Sequence, residues 1–361
     1  MAAIFSPLTV RNVTFRNRLW VSPMCQYSAD KQDGIPTDWH LVHLGSFALG
    51  GAGLVMTEAT AVSPVGRISP QDTGIWNADQ QGTWVRIVDF LHSQGAVAGM
   101  QLAHAGRKGS TYRPWEPTQG SVPISGGGWP TVAASPIAFT GYAEPVALTT
   151  TGIADVVADF AEAATRAVSA GFDLVEVHAA HGYLLHQFLS PLSNSREDQY
   201  GGSLENRARF LLDTVRAVRA AVGESVPVLV RFSASDYAEG GWDQEQTATV
   251  AAWAMEAGAD LFDISSGGLL SGVRIPLGPG YQVPFAEFVG ATGHVPVSAV
   301  GLITTAAQAD LIVASGQAAA VMMARELMRD PHFAWRAAAE LGVELDYYPE
   351  QYVRARYPVE A

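Results

Sequence analysis

Short apolar runs alternate with longer stretches of mixed polarity along most of the chain. The runs fall at Arg18–Met24, Leu54–Thr57, Ala96–Leu102, Phe172–Val177, Pro227–Phe232, Leu261–Ile264, Val295–Val300 and Ala319–Met323. They are rich in Val, Ile, Leu, Phe and Ala without strict polar alternation, the pattern of parallel strands buried on both faces. Between them the spacing predicts helices over His40–Leu49, Gln80–His92, Gly152–Ala170, Ser203–Val222, Gln244–Ala257, Pro284–Ala291 and Thr304–Ala314. Ser203 and Thr304 are suited to cap helix N-termini, and Gly171 and Gly258 stand where helices should stop. Eight strands interleaved with helices predict an α/β fold of the (β/α)8 TIM-barrel type. A doubly wound sheet needs a Gly-rich turn after its first strand; the chain has SPMCQYS there, and its GGAG at 50–53 precedes a strand instead.

Two segments fall outside the repeat. Residues 105–150 are rich in Gly, Pro, Ser and Thr and read as a lid insertion after the third strand. A helical run from Leu327 to Leu341 leads into an aromatic and arginine-bearing tail, 342–361. The expectation is a single domain over 1–361.

Composition narrows the function. The net charge of −13 argues against nucleic-acid or anionic-membrane partners, which need a basic patch. The lone cysteine, Cys25, rules out an intrachain disulfide and an all-cysteine iron–sulfur site and suits a reducing cytosol. No signal peptide or membrane-span pattern is present, so the expected location is cytoplasmic. The two lysines, Lys31 and Lys108, lie outside the apolar runs, which argues against a desolvated Schiff-base lysine.

In a barrel the chemistry collects at the C-terminal ends of the strands. Those positions hold Ser22, Pro23, Met24 and Cys25, then Ala59, Gln101, His178 with His181, Arg231, the Ser265–Gly268 run, Gly301, and Ala324 with Arg325. Glu58 is the one carboxylate among them, and a neighbouring arginine could pair it. Gly301 and Arg325 begin the loops after the last two strands, where barrels often hold a phosphate that a guanidinium fork matches. The His178-x-x-His181 pair has three readings: a metal pair lacking a third ligand, two polar histidines satisfied under a loop, or two donors to one oxygen. In the last, Tyr183 is a neutral proton donor.

The runs SPMCQYS at 22–28, HAAHGYLLHQFLSPLSNSREDQYGGSLENRARF at 178–210, VGLI at 300–303 and ARELMRDP at 324–331 resemble the old yellow enzyme family of FMN-dependent ene reductases. Cys25 and the arginine-bearing tail are similar to its thermophilic-like branch of NADPH dehydrogenases. The resemblance implies non-covalent FMN over the barrel mouth. Ser22 to Cys25 and Ala59 would border the ring, Gln101 its pyrimidine edge and Arg231 its N1 side, with Gly301, Ala324 and Arg325 at the phosphate. It implies NADPH or NADH as reductant and an alkene activated by a carbonyl or nitro group as substrate. His178, His181 and Tyr27 would bind that substrate, Tyr183 would protonate it, and Cys25 would tune the flavin. It further implies a homodimer or homotetramer, with Arg354 (or Arg356) reaching a neighbour's site. Ala324 departs from the usual Gly, and Gln26 stands where many relatives have Met. A metal-dependent hydrolase built on the histidine pair, or a non-catalytic binding barrel, are the alternatives; an RNA-modifying flavin barrel is disfavoured by the acidic charge.

Overall fold

The computed structural model describes residues 2–357. The chain enters through a hairpin, β1 (Leu8–Val10) and β2 (Val13–Phe15), paired antiparallel. Phe15 packs on Trp20 at 4.5 Å between ring centroids and joins Leu54, Leu174 and Leu261, the first residues of three barrel strands. The hairpin therefore plugs the N-terminal end of the barrel.

The barrel strands are β3 (Leu19–Val21), β4 (Leu54–Ala61), β5 (Val97–Ala103), β8 (Leu174–Ala179), β9 (Val228–Ser233), β10 (Leu261–Ser265), β11 (Val297–Ala299) and β12 (Ala320–Met323). All pair in parallel, and β12 closes onto β3, giving the (β/α)8 TIM barrel. Two further short strands, β6 (Val132–Ala133) and β7 (Val146–Ala147), pair with each other inside the 105–150 insertion. The outer layer comprises α1 (Asp38–Leu49), α2 (Ala78–Ser93), α3 (Thr150–Ser169), α5 (Leu204–Val222), α6 (Gln244–Glu256), α7 (Val283–Gly293) and α8 (Ala306–Ala314). A short α4 (Leu184–Leu189) sits directly after the β8 loop.

Local signals set most boundaries. Ser203 caps α5 by accepting the Asn206 N–H, and Asn77 with Gln80 forms a capping box on α2. Gly171 and Gly258 follow α3 and α6 with φ of +99° and +115°, where a Cβ would be strained.

Several boundaries differ from the sequence expectation. Helix α8 is capped by Thr305, one residue after Thr304, because its hydroxyl is the one placed to accept the Gln308 N–H. Strand β4 runs on to Ala61, so Glu58 and Ala59 lie within it; a register shift against β5 between Met56 and Ala59 accommodates the extra length. The helical run after Leu327 is broken into α9 (Arg325–Arg329) and α10 (Phe333–Glu340) around Pro331, which cannot donate to a continuing helix. The tail then folds back on the barrel: Tyr348 packs on Trp335 at 4.6 Å, and Asn17 Nδ2 donates to the Tyr347 hydroxyl at 3.0 Å. The last tail residues, 358–361, lie outside the described residues.

Candidate active site

The C-terminal end of β8 carries the densest polar cluster. His178 lies opposite Arg231 of β9, and the chain then leaves the sheet. His181 sits in the left-handed region at φ +58°, followed by Gly182 at +74°. Positive φ at a bulky residue persists only where its surroundings hold it. The His181 N–H donates to Ser233 Oγ at 2.9 Å, and the Gly182 N–H donates to His186 Nδ1 at 2.9 Å. His186 Nε2 faces Asp236 Oδ1 at 3.0 Å, both side chains fully buried. A Cβ on Gly182 would strike the Gly268 carbonyl, so only glycine fits this turn.

The turn brings three rings together. His178 stands 5.2 Å from His181 and 5.2 Å from Tyr183, centroid to centroid. His181 Nε2 lies 2.8 Å from Ser265 Oγ, while the buried His178 Nδ1 has no partner among the described residues. Burial, reinforced by the Arg231 charge, holds both imidazoles well below their usual pKa. Each is therefore neutral with one N–H to give. Burial, with Cys25 next, pushes the Tyr183 phenol well above its ordinary value, so it carries its proton.

Cys25 lines the same cavity, on the side of Tyr183. Burial and the Asp72 and Glu58 charges raise its pKa, so it is a thiol. Its loop is tied down from below: the Gln26 N–H donates to Glu58 Oε2 at 2.8 Å, and Glu58 Oε1 meets His40 Nε2 at 3.0 Å. Glu58 is thus partnered by histidine rather than by the arginine expected from the sequence. Tyr27, at φ +51°, packs with Cys25 and Tyr183 against Ala59, Ala103 and Ala105, and its ring meets Trp115 edge-on at 5.7 Å.

On the floor, Gln101 Nε2 donates to Glu176 Oε1 at 2.7 Å. Arg231 pairs with Asp263 through Nε–Oδ2 at 2.8 Å and donates to Ser22 Oγ at 3.1 Å. Gly301 (φ +121°), Ala324 and Arg325 form the far wall, and Arg325 makes no ion pair among the described residues.

A single cavity of about 290 Å³ is lined by Ser22, Pro23, Cys25, Gln101, His178, His181, Tyr183, Arg231, Gly301, Ala324 and Arg325. Met24 turns into the core, and Ala59 and Tyr27 back the Cys25 side. Arg354 is the exception. It lies on an exposed turn, Glu350–Ala355, away from this cavity. Among the described residues no three His, Cys, Asp or Glu side chains converge as a metal-ligand group, and no helix is long and apolar enough to cross a membrane.

Sequence reasoning missed three residues. Lys108, set aside for lying outside a strand, is folded back by the β5 loop. Its Nζ donates to the His181 and Gly268 carbonyls at 2.8 and 2.9 Å and stands 5.1 Å from the Tyr183 ring centre. Burial, with Arg107 adding, lowers its pKa to about 8. Glu176 and Asp263 project into the barrel from mid-strand; their signal was visible as single acids at every-other spacing in LVEVHA and LFDIS.

Residues 3–344 match the model of the NADH:flavin oxidoreductase / NADH oxidase family. The chain belongs to this family. An NADPH dehydrogenase of Listeria innocua serovar 6a is 47% identical over 356 residues, 98% of this chain and 99% of that protein. An NADH:flavin oxidoreductase of Gibberella zeae is 46% identical over 360 residues, 95% of this chain and 86% of its relative. Among solved structures, morphinone reductase superposes with a TM-score of 0.78 at 29% identity, covering 95% of this chain and 91% of that one. A 2-naphthoyl-CoA reductase complex gives 0.84 at 25% identity over 94% of this chain, which spans 52% of that longer chain. The protein is thus an oxidoreductase of the old yellow enzyme type, with FMN as cofactor and NAD(P)H as reductant. The cavity suits FMN: it offers an amide and a guanidinium on its floor, an arginine without an ion pair on its far wall, and a buried imidazole nitrogen without a partner.

Proposed function

We propose that the protein is an ene reductase, reducing the C=C bond of alkenes conjugated to a carbonyl or nitro group. The observation that carries this is the convergence of His178, His181 and Tyr183, all neutral, on the cavity that Gln101, Arg231, Gly301 and Arg325 also line. Gln101 suits the pyrimidine edge of FMN because an amide offers donors and acceptors together. Arg231 suits the N1 side, Arg325 with Gly301 and Ala324 the phosphate, and Ser22 and Pro23 the ring border, backed by Met24 and Ala59. FMN, once bound, supplies the hydride taken from NAD(P)H. The neutral imidazoles of His178 and His181 each give one N–H to the carbonyl or nitro oxygen, stabilising the charge that develops there. Tyr183 then delivers its proton to the α-carbon as general acid. Cys25, a thiol beside Tyr27, borders the reacting edge; Tyr27 closes the substrate side.

The nicotinamide uses the same face, consistent with morphinone reductase having been solved with tetrahydroNAD. The 105–150 segment acts as a lid from its root at Lys108, and Phe139 lies 4.8 Å from that Nζ. Arg354, exposed on its own chain, reaches a neighbour's site in a homodimer or homotetramer. The decisive experiment loads the purified protein with FMN, reduces it anaerobically with NADPH and follows reoxidation by cyclohexenone. Rapid reoxidation with saturated ketone as product supports the reading; a flavin reduced by NADPH but inert to enones and nitroalkenes overturns it.

A further inference from the structure

Beneath the cavity the barrel holds a polar layer on an apolar plug. Trp20, Leu174, Leu229 and Leu261 form the plug; Gln101, Glu176, Arg231 and Asp263 lie above it, all at least 95% buried. The layer contains two carboxylates and one guanidinium. Arg231 is committed to Asp263 at 2.8 Å, and the other Asp263 oxygen accepts from Ser298 Oγ at 3.3 Å. Glu176 has far less. Oε1 accepts one hydrogen bond, from Gln101 at 2.7 Å, and Oε2 is buried without any partner among the described residues. An ionised carboxylate so poorly compensated is costly, whereas the neutral acid leaves the layer with zero net charge.

We propose that Glu176 rests as the neutral acid beneath the oxidised cofactor and couples flavin reduction to uptake of a second proton at high pH. This rests on the proposal that FMN occupies the cavity with Gln101 and Arg231 at its pyrimidine end. The groups facing Glu176 are Gln101 from β5, Arg231 from β9, Asp263 from β10 and His178 two residues along its own strand. Burial pushes Glu176 up to about 8, with Asp263 adding and Arg231 and Gln101 opposing. Hydride transfer brings two electrons and one proton to the cofactor and leaves an added negative charge in the site. That charge disfavours the Glu176 carboxylate further. Above pH 8 a second proton from solvent then forms an O–H bond on Glu176; no further electrons are involved.

Potentiometry of the FMN-loaded protein between pH 6.5 and 9.5 tests this. A two-electron couple shifts about 30 mV per tenfold change in equilibrium constant, hence about 30 mV per pH unit for one proton and about 60 for two. The expected trace steepens from the first slope to the second near pH 8, and Glu176→Gln, neutral and isosteric, keeps the shallow slope throughout. Infrared difference spectra of wild-type protein should show a carboxylic-acid C=O band gained on reduction at pH 9, which needs no variant. A shallow slope across the range in wild-type protein overturns the proposal. So does a break that survives Glu176→Gln, or one that Lys108→Met removes. If the protein fails to bind FMN at all, the functional reading fails first, and that outcome is distinct from a bound flavin with a flat profile.

Discussion

Asp236→Asn isolates the support beneath the β8 turn. Asp236 Oδ2 accepts Ser190 Oγ at 2.6 Å and the Trp242 N–H at 2.8 Å, while Oδ1 faces His186 Nε2 at 3.0 Å. Burial pushes this carboxyl up, but His186, Ser190 and Trp242 together pull it below the ordinary range, so it is ionised. His186 Nδ1 accepts the Gly182 N–H, so Nε2 must carry the imidazole proton and give it to Asp236. The asparagine oxygen can keep the Ser190 and Trp242 donors, and its amide then points at His186. No tautomer satisfies both ends: an Nε2–H meets the new amide, an Nδ1–H meets the Gly182 N–H. One buried donor is left unsatisfied and one charge-assisted bond is lost, about 2–3 kcal/mol. For 361 residues the unfolding entropy is on the order of 0.76 kcal/mol per kelvin. The melting temperature should fall by about 3–4 °C. Release of Gly182 also loosens His181 and Tyr183, so binding of a phenol, read from its perturbation of the flavin spectrum, should weaken about tenfold, or about 1.4 kcal/mol. A lowered melting temperature with unchanged phenol affinity would refute the claim that this pair positions the site.

Tyr183→Phe should slow enone-driven reoxidation by about 10²-fold and leave NADPH-driven reduction nearly intact, in separate stopped-flow half-reactions; equal reoxidation rates would assign the proton to another donor. Gly182→Ala combines left-handed strain at φ +74° with a backbone clash against Gly268, together about 2–5 kcal/mol. Its melting temperature should drop by several degrees, and an unchanged one would mean that the turn adapts. His104, lowered to about 4, and His178 and His181, lowered well below the usual value, are all kept neutral chiefly by burial. Each is neutral when folded and protonates when unfolded, so the unfolded chain binds more protons as pH falls below about 6.5. His43, also lowered to about 4, adds a fourth such ring, while Asp72 and Glu176, raised to about 8, hold two protons in the fold that the unfolded chain lacks. Stability should therefore decline in that range with a limiting slope of about 3 kcal/mol per pH unit for a net two protons. Urea titrations at pH 7, 6 and 5 measure it; a flat dependence would mean that the rings are charged in the fold.

The barrel was legible because its signals are local. Each apolar run reports burial on both strand faces, and the caps at Ser203 and Asn77 and the stops at Gly171 and Gly258 act within one turn of chain. Ser22, Gln101, His178, Arg231, Gly301 and Arg325 were readable as positions at or near strand ends, since a parallel barrel delivers every strand's C-terminus to one mouth, whereas Tyr27 and Arg354 rested on the family resemblance alone. Local signals also failed where a choice was nearly even, as between Thr304 and Thr305. What only the tertiary structure decided are pairings between distant residues. Nothing near Glu58 in sequence selects His40 over an arginine, and nothing near Lys108 announces that its ammonium will clasp the His181 and Gly268 carbonyls. The neutral state of the imidazoles, and the stranded oxygen of Glu176, depend on how much water the closed barrel excludes. Desolvation belongs to the assembled fold, and no run of residues carries it alone.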